Sequence, residues 1–157
     1  VIVDVRKQIV KWALAGVAQK KDFEYLEVRP LVLTWRPIIK SDCSWFVKLC
    51  YWKAGANDPT GLKFDGYGNS DSLFQQGRHI AQNQVRPGDV IVFGPGGSVH
   101  AVIVVSVRTL PILCASMGKP GDPSLATLPE LEVLGEPTFL RFSTRNRRLN
   151  PRNWFRA

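Results

Sequence analysis

Apolar positions in the first part of the chain recur at helical spacing. Ile9, Trp12, Ala13 and Val17 follow Asp4, a side chain suited to capping, so residues 5–19 are predicted to form an amphipathic helix. The segment EVRPLVLTWRPIIK breaks that period, because Pro30 and Pro37 each push the preceding residue out of helical conformation, and it reads as extended or looped. A second helix is expected from about Ser44 to Ala54, closed by Gly55 at the C-terminal position that glycine favours. Turn signals then accumulate at Asp58-Pro59, Asp65-Gly66 and Gly68, with room for one short helix at 70–77.

The pattern changes again after the RPGD turn at 86–89. VIVF, VHAVIVVSV, ILCAS and PTFLRF are apolar runs bounded by glycine and proline, the signature of consecutive antiparallel strands. Helices first and a strand meander afterwards indicate an α+β domain with helix packed on one sheet.

Composition narrows the class. With 157 residues, 45% of them hydrophobic and 10% aromatic, the chain is one globular domain's worth. Its formal net charge of +8 points to anionic partners, whether a cell-wall polymer, a membrane surface or nucleic acid. Much of that charge lies in the closing segment RFSTRNRRLNPRNWFRA, where Arg141, Arg145, Arg147, Arg148, Arg152 and Arg156 occur without an acid. Interleaved with Trp154 and Phe155, they read either as a grip on a polyanion or as a solvated linker. No apolar run approaches the roughly 20 residues that cross a bilayer, and charges interrupt the N-terminal stretch where a signal peptide would be continuous. A soluble protein made without a secretion signal is expected. Cys43, Cys50 and Cys114 form no C-x-x-C pair, which argues against a disulfide framework and a structural zinc site, and no cofactor is expected.

The candidate chemistry begins at SDCSWFVKLC. Cys50 falls on the apolar face of the second helix and reads as core, whereas Cys43 stands at the helix head. There, unpaired N–H groups and the helix dipole favour a thiolate, which lowers a thiol pKa from about 8.5. His100, opening a strand directly after a glycine loop, is the better base; His79, in QGRHIAQ, reads as surface.

SDCSWFVKLCYWKAG resembles the nucleophile helix of NlpC-type cysteine peptidases, whose hallmark is Asp-Cys-Ser ahead of an apolar helix. VRPGDVIVF followed by SVHAVIVVS resembles the second hallmark, a Pro-Gly-Asp turn, a strand, a loop and a histidine that starts the next strand. Tyr25, Arg29-Pro30, Asp58-Pro59 and Asp65-Gly66 extend the likeness to the peptidase modules of endolysins from phages of actinobacteria, a papain-like group related to CHAP domains. The resemblance implies a papain-like α+β fold over residues 1–142, with 143–157 a basic tail or linker. It implies hydrolysis of an amide bond in peptidoglycan stem peptides or cross-links, with Cys43 as nucleophile and His100 as general base.

It also implies that Asp42 and Ser44 lie against substrate and that Tyr25 borders the oxyanion site; their ordinary readings are helix cap, first-turn residue and core. Two departures stand out. Related modules frequently carry Ser-His-Gly where this chain has Ser116-Met117-Gly118, so the usual histidine-orienting residue is missing. Ser116 or Cys114 on the strand, or Asp122 from the loop, are the candidates to replace it. Trp45 stands where a small residue is common and is expected to narrow the cleft. The implied partner is bacterial peptidoglycan, reached by a monomer made in the infected host's cytoplasm and released to the wall, without membrane insertion or nucleic acid. The alternatives are a catalytically impaired wall-binding relative and a nucleic-acid binder using the arginine tail.

Overall fold

The computed structural model describes residues 3–118 and 121–145. Helix α1 spans Val5–Ala18 and begins on the Asp4 side chain, which accepts the Lys7 N–H. Strand β1 (Phe23–Tyr25) pairs in parallel with β2 (Ile39–Ser41), and β2 runs directly into α2 (Cys43–Ala54). Asp42 is the α2 cap, accepting the Trp45 N–H at 2.9 Å, and Gly55 ends the helix in the left-handed conformation at φ 81°. A short α3 (Ser70–Gln76) follows. The remainder is β3 (Arg78–Ile80), β4 (Val90–Phe93), β5 (His100–Ser106), β6 (Leu113–Met117), β7 (Pro123–Thr127), the single turn α4 (Leu128–Leu131) and β8 (Pro137–Arg141). These six strands form an antiparallel sheet in the order β3-β8-β4-β5-β6-β7.

Both faces of that sheet are covered. Val90, Val92, Ala101, Ile103, Ala115 and Met117 join Ile9, Phe46, Leu49 and Cys50 in the core under α1 and α2. Their neighbours of opposite parity, among them Ile91, Phe93, Val102, Val104 and Cys114, pack with Leu128 and Leu131 of α4. Two buried faces explain why VIVF and HAVIVV read as continuous apolar runs and not as alternations. Helix α2 is the central element, with eight of its first nine residues buried. It approaches α1 closely at Gly16, where a Cβ would fall 2.5 Å from the Phe46 ring.

The predicted helices and the four predicted strands are present. The segment read as extended or looped contributes β2, and β1, β3 and β7 are additional strands. No described helix is long and apolar enough to cross a membrane. Most of the arginine tail, from Arg147 to Arg156, lies outside the described residues.

Candidate active site

The head of α2 meets the first residue of β5. Cys43, the first residue of the helix, is half-buried, and the backbone N–H groups of Ala101 and Ser44 are near enough to its sulfur to favour the thiolate. Ala101 immediately follows His100, so the thiol sits against the peptide that carries the imidazole. No direct hydrogen bond joins Cys43 to His100. The His100 ring is 6% exposed and its Nε2 lies 2.6 Å from Ser116 Oγ. That contact follows from register: Val102 opposes Ser116, which makes Ser116 the diagonal neighbour of His100 on the same sheet face.

Of the three candidates for that position, Ser116 alone is hydrogen-bonded to His100. Cys114 is wholly buried in the cluster under α4, and Asp122 is exposed on the cleft wall. Met117 points the other way, into the core beneath α2. A histidine substituted there at this register would be aimed away from His100. Gly118 leaves the ring edge open, since a Cβ there would sit 3.5 Å from His100 Cε1.

Burial favours the neutral form of both Cys43 and His100. Burial pushes the Cys43 thiol up to about 11, the Asp42 carboxylate adds to the shift, and the two backbone N–H groups only partly offset it. The dipole advantage expected at the helix head is therefore outweighed by desolvation. Burial likewise lowers His100 to about 4, and Ser116, being uncharged, does nothing to retain a proton there.

A depressed histidine pKa stabilises the fold above the unfolded value of about 6.5, and that contribution is lost as pH falls toward the folded value of about 4. Between pH 7 and 4.5 the native chain is expected to lose about 2–3 kcal/mol more unfolding free energy than a His100→Gln variant. Urea unfolding of both proteins at the two pH values checks this.

Asp42 and Ser44 are buried structural groups and do not line the cleft. The Arg29 guanidinium clamps Asp42 with two bonds, at 2.8 and 3.1 Å, and also donates to Ser44 Oγ. Trp45 is fully buried and so does not narrow the cleft. Its ring packs against two cations, Arg29 at 5.4 Å and Lys48 at 4.8 Å from the centroid. Tyr25 does line the site, donating to Glu27 at 2.6 Å, and its pKa is raised by burial, the Glu27 bond and the nearby Cys43. Glu27 carries no signal in the sequence that singles it out, and Arg29, visible only as part of an Arg-Pro pair, acquires its role from Asp42 and Ser44 in a later segment.

Beside His100 opens a cleft of about 650 Å³. Tyr25, Glu27, Ser116 and Asp122 contribute to its polar walls, and among the described residues no lysine or arginine lines it. Its described ionisable wall residues thus include the carboxylates Glu27 and Asp122, although the net charge of the chain is positive. Among the described residues there is no cluster of metal-ligating side chains.

No family model and no curated protein matches the sequence. Solved structures do. RipD from Mycobacterium tuberculosis, described as a non-catalytic NlpC/p60 domain protein adapted to peptidoglycan binding, superposes with a TM-score of 0.62 at 14% identity, covering 90% of this chain and 100% of RipD. The chain has the NlpC/p60 fold. The P60 domain of antigen MAP1204 from M. avium subspecies paratuberculosis matches with a TM-score of 0.55 at 18% identity, over 87% of this chain and 96% of that one. The peptidoglycan hydrolase RipB from M. tuberculosis matches with a TM-score of 0.52 at 19% identity, over 90% and 68%. The NlpC/p60 fold thus occurs both in a hydrolase and in a protein without catalysis.

Proposed function

We propose that the chain is a cysteine peptidase that cleaves an amide bond in peptidoglycan stem peptides or cross-links. The observation that carries the reading is the seat of Cys43: its sulfur lies near the peptide joining His100 to Ala101, and the His100 imidazole, tied through Nε2 to Ser116, lines a cleft. With Nε2–H donated to the serine hydroxyl, Nδ1 is the nitrogen left to accept a proton from the thiol. Because thiol and imidazole are both neutral, proton transfer accompanies sulfur attack on the scissile carbonyl instead of preceding it. His100 then passes the proton to the leaving amine, and water releases the acyl-enzyme. The N–H groups of Ser44 and Ala101, which favour negative charge at the sulfur, are the donors we assign to the developing oxyanion. Acidic walls at Glu27 and Asp122 favour a cationic group on the substrate, such as the free amine of a diamino acid in the stem peptide.

The motif likeness to actinobacteriophage endolysin modules supports a role in host lysis, with the enzyme reaching the wall after release. A second reading, a wall-binding protein without turnover, is favoured by one observation: the raised Cys43 pKa and the uncharged partner of His100 leave the pair without the ionisation expected at the helix head.

Digestion of purified peptidoglycan, with mass analysis of the soluble fragments and a parallel sedimentation assay, separates the two. Peptidase action releases fragments bearing a new amine and a new carboxyl group at one bond. Co-sedimentation without any new terminus supports the binding reading and sinks the peptidase.

A further inference from the structure

A second concave site lies at the far end of the sheet from His100. His100 pairs with Phe93 at one end of β4, whereas Leu140 of β8 pairs with Val90 at the other. Just beyond Leu140, Arg141 stands directly opposite Arg78 of β3, and a pocket of about 540 Å³ opens between this pair, Arg86, His79 and Gln84. Like charges directly opposed across two strands repel, so a pair of arginines there is destabilising unless negative charge is placed between them.

The fold supplies only part of that charge. Asp89 is 1% exposed and bridges Arg141 and Arg6 at 2.8 Å each, while its second oxygen also takes the Arg86 backbone N–H. Burial alone would raise this carboxyl, but the hydrogen bonds from Arg141 and Arg6 outweigh it and hold the group ionised. Arg141 is further fixed by donating to the Gln84 carbonyl, so its guanidinium is preorganised. The Arg78 and Arg86 guanidinium groups are exposed and have no protein partner among the described residues. Among the described residues no acid lines the pocket.

We propose that this pocket is a phosphoryl oxyanion site, separate from the cleft and independent of the peptidase reading. Arginine forks match multi-oxygen anions with paired hydrogen bonds, and a tetrahedral phosphoryl group offers enough oxygens for donors arriving from β3, β8 and the 86–89 turn. Occupancy would relieve the Arg78–Arg141 repulsion that Asp89 only partly neutralises. The anion is either free phosphate or the phosphodiester of a wall polymer.

Titration of the full chain with inorganic phosphate and, separately, with poly(glycerol phosphate), at low and fixed ionic strength, tests this. A 1:1 complex with phosphate is expected, weakened at least tenfold in Arg78→Gln/Arg86→Gln. It should change less than twofold in Arg36→Gln/Lys40→Gln, which removes the same charge elsewhere. Tighter binding of the polymer per phosphate assigns the site to a polymeric diester, and equal binding assigns it to free phosphate; either supports the oxyanion site. Equal weakening in the two double variants, binding of single-stranded DNA lost equally in both, or no phosphate binding at all overturns it.

Discussion

Replacing Cys43 by alanine is expected to lower fragment release from peptidoglycan by at least about 10³-fold, the scale on which a covalent nucleophile is missed. Replacing His100 by glutamine should cost about 10²–10⁴-fold, the range of a lost general base. The double variant should be little worse than Cys43→Ala, because the two act as one unit. Release that survives Cys43→Ala undiminished would remove the cysteine from the mechanism. Alkylation adds a second measure. With the thiol pKa near 11, its rate should rise about tenfold per pH unit from neutrality and level only near that value. A plateau already reached at pH 7 would mean that Cys43 is a stabilised thiolate. The buried Cys50 and Cys114 should react only on unfolding.

The largest effect on stability is expected at Asp58, which the sequence marks only as part of an Asp-Pro turn. Lys48, on the central helix, is fully buried, and its ammonium lies 3.1 Å from the Asp58 carboxylate, itself 1% exposed. It also donates to the Tyr67 carbonyl. Burial lowers the lysine pKa and the aspartate opposes that shift, so the charge is retained chiefly by its partner. Asp58 meanwhile accepts the Thr60 N–H, the Thr60 hydroxyl and the Phe64 N–H, and so organises the loop beside the helix.

Truncation to alanine strands a buried cation and three donors, at a cost of about 3–5 kcal/mol. That is a large share of the 5–15 kcal/mol typical of a domain. In a Lys48→Met background the same truncation should cost at least about 1 kcal/mol less, since no cation remains to be stranded. Denaturant unfolding of the four proteins gives the cycle. Strict additivity would show that the ion pair contributes nothing beyond the loop bonds.

Features carried by local pattern were open to reading from the chain. Asp4 and Asp42 are caps because an aspartate side chain reaches its own helix head, and Gly55 ends α2 because it takes a left-handed conformation at little cost. The runs around Val90, Val102 and Cys114 are strands because β-branched runs between glycines and prolines have few other stable forms. The strands Phe23–Tyr25, Arg78–Ile80 and Pro123–Thr127 are three to five residues long. They exist because a partner strand takes up their hydrogen bonds, and no short window of sequence contains that partner.

The site divides along the same line. Asp-Cys-Ser ahead of an apolar helix, and histidine at a strand start, were visible as residues. Their ionisation was not, because desolvation depends on what packs over them. Trp45 looked like a cleft residue by its proximity to Cys43, yet helical geometry turns it inward against Arg29 and Lys48. Ser116 faces His100 and Met117 does not, a distinction decided by strand register, which one residue of slip would reverse.

The sequence by itself determined the helices, the central strands, the total charge and the order of the reactive residues, since each is a property of neighbours along the chain. The tertiary structure alone decided where the described charges gather, Glu27 and Asp122 at the cleft and Arg78, Arg86 and Arg141 at the opposite sheet end, and which polar groups are buried together. Those depend on residues far apart in the chain that become neighbours only when the sheet closes over α2.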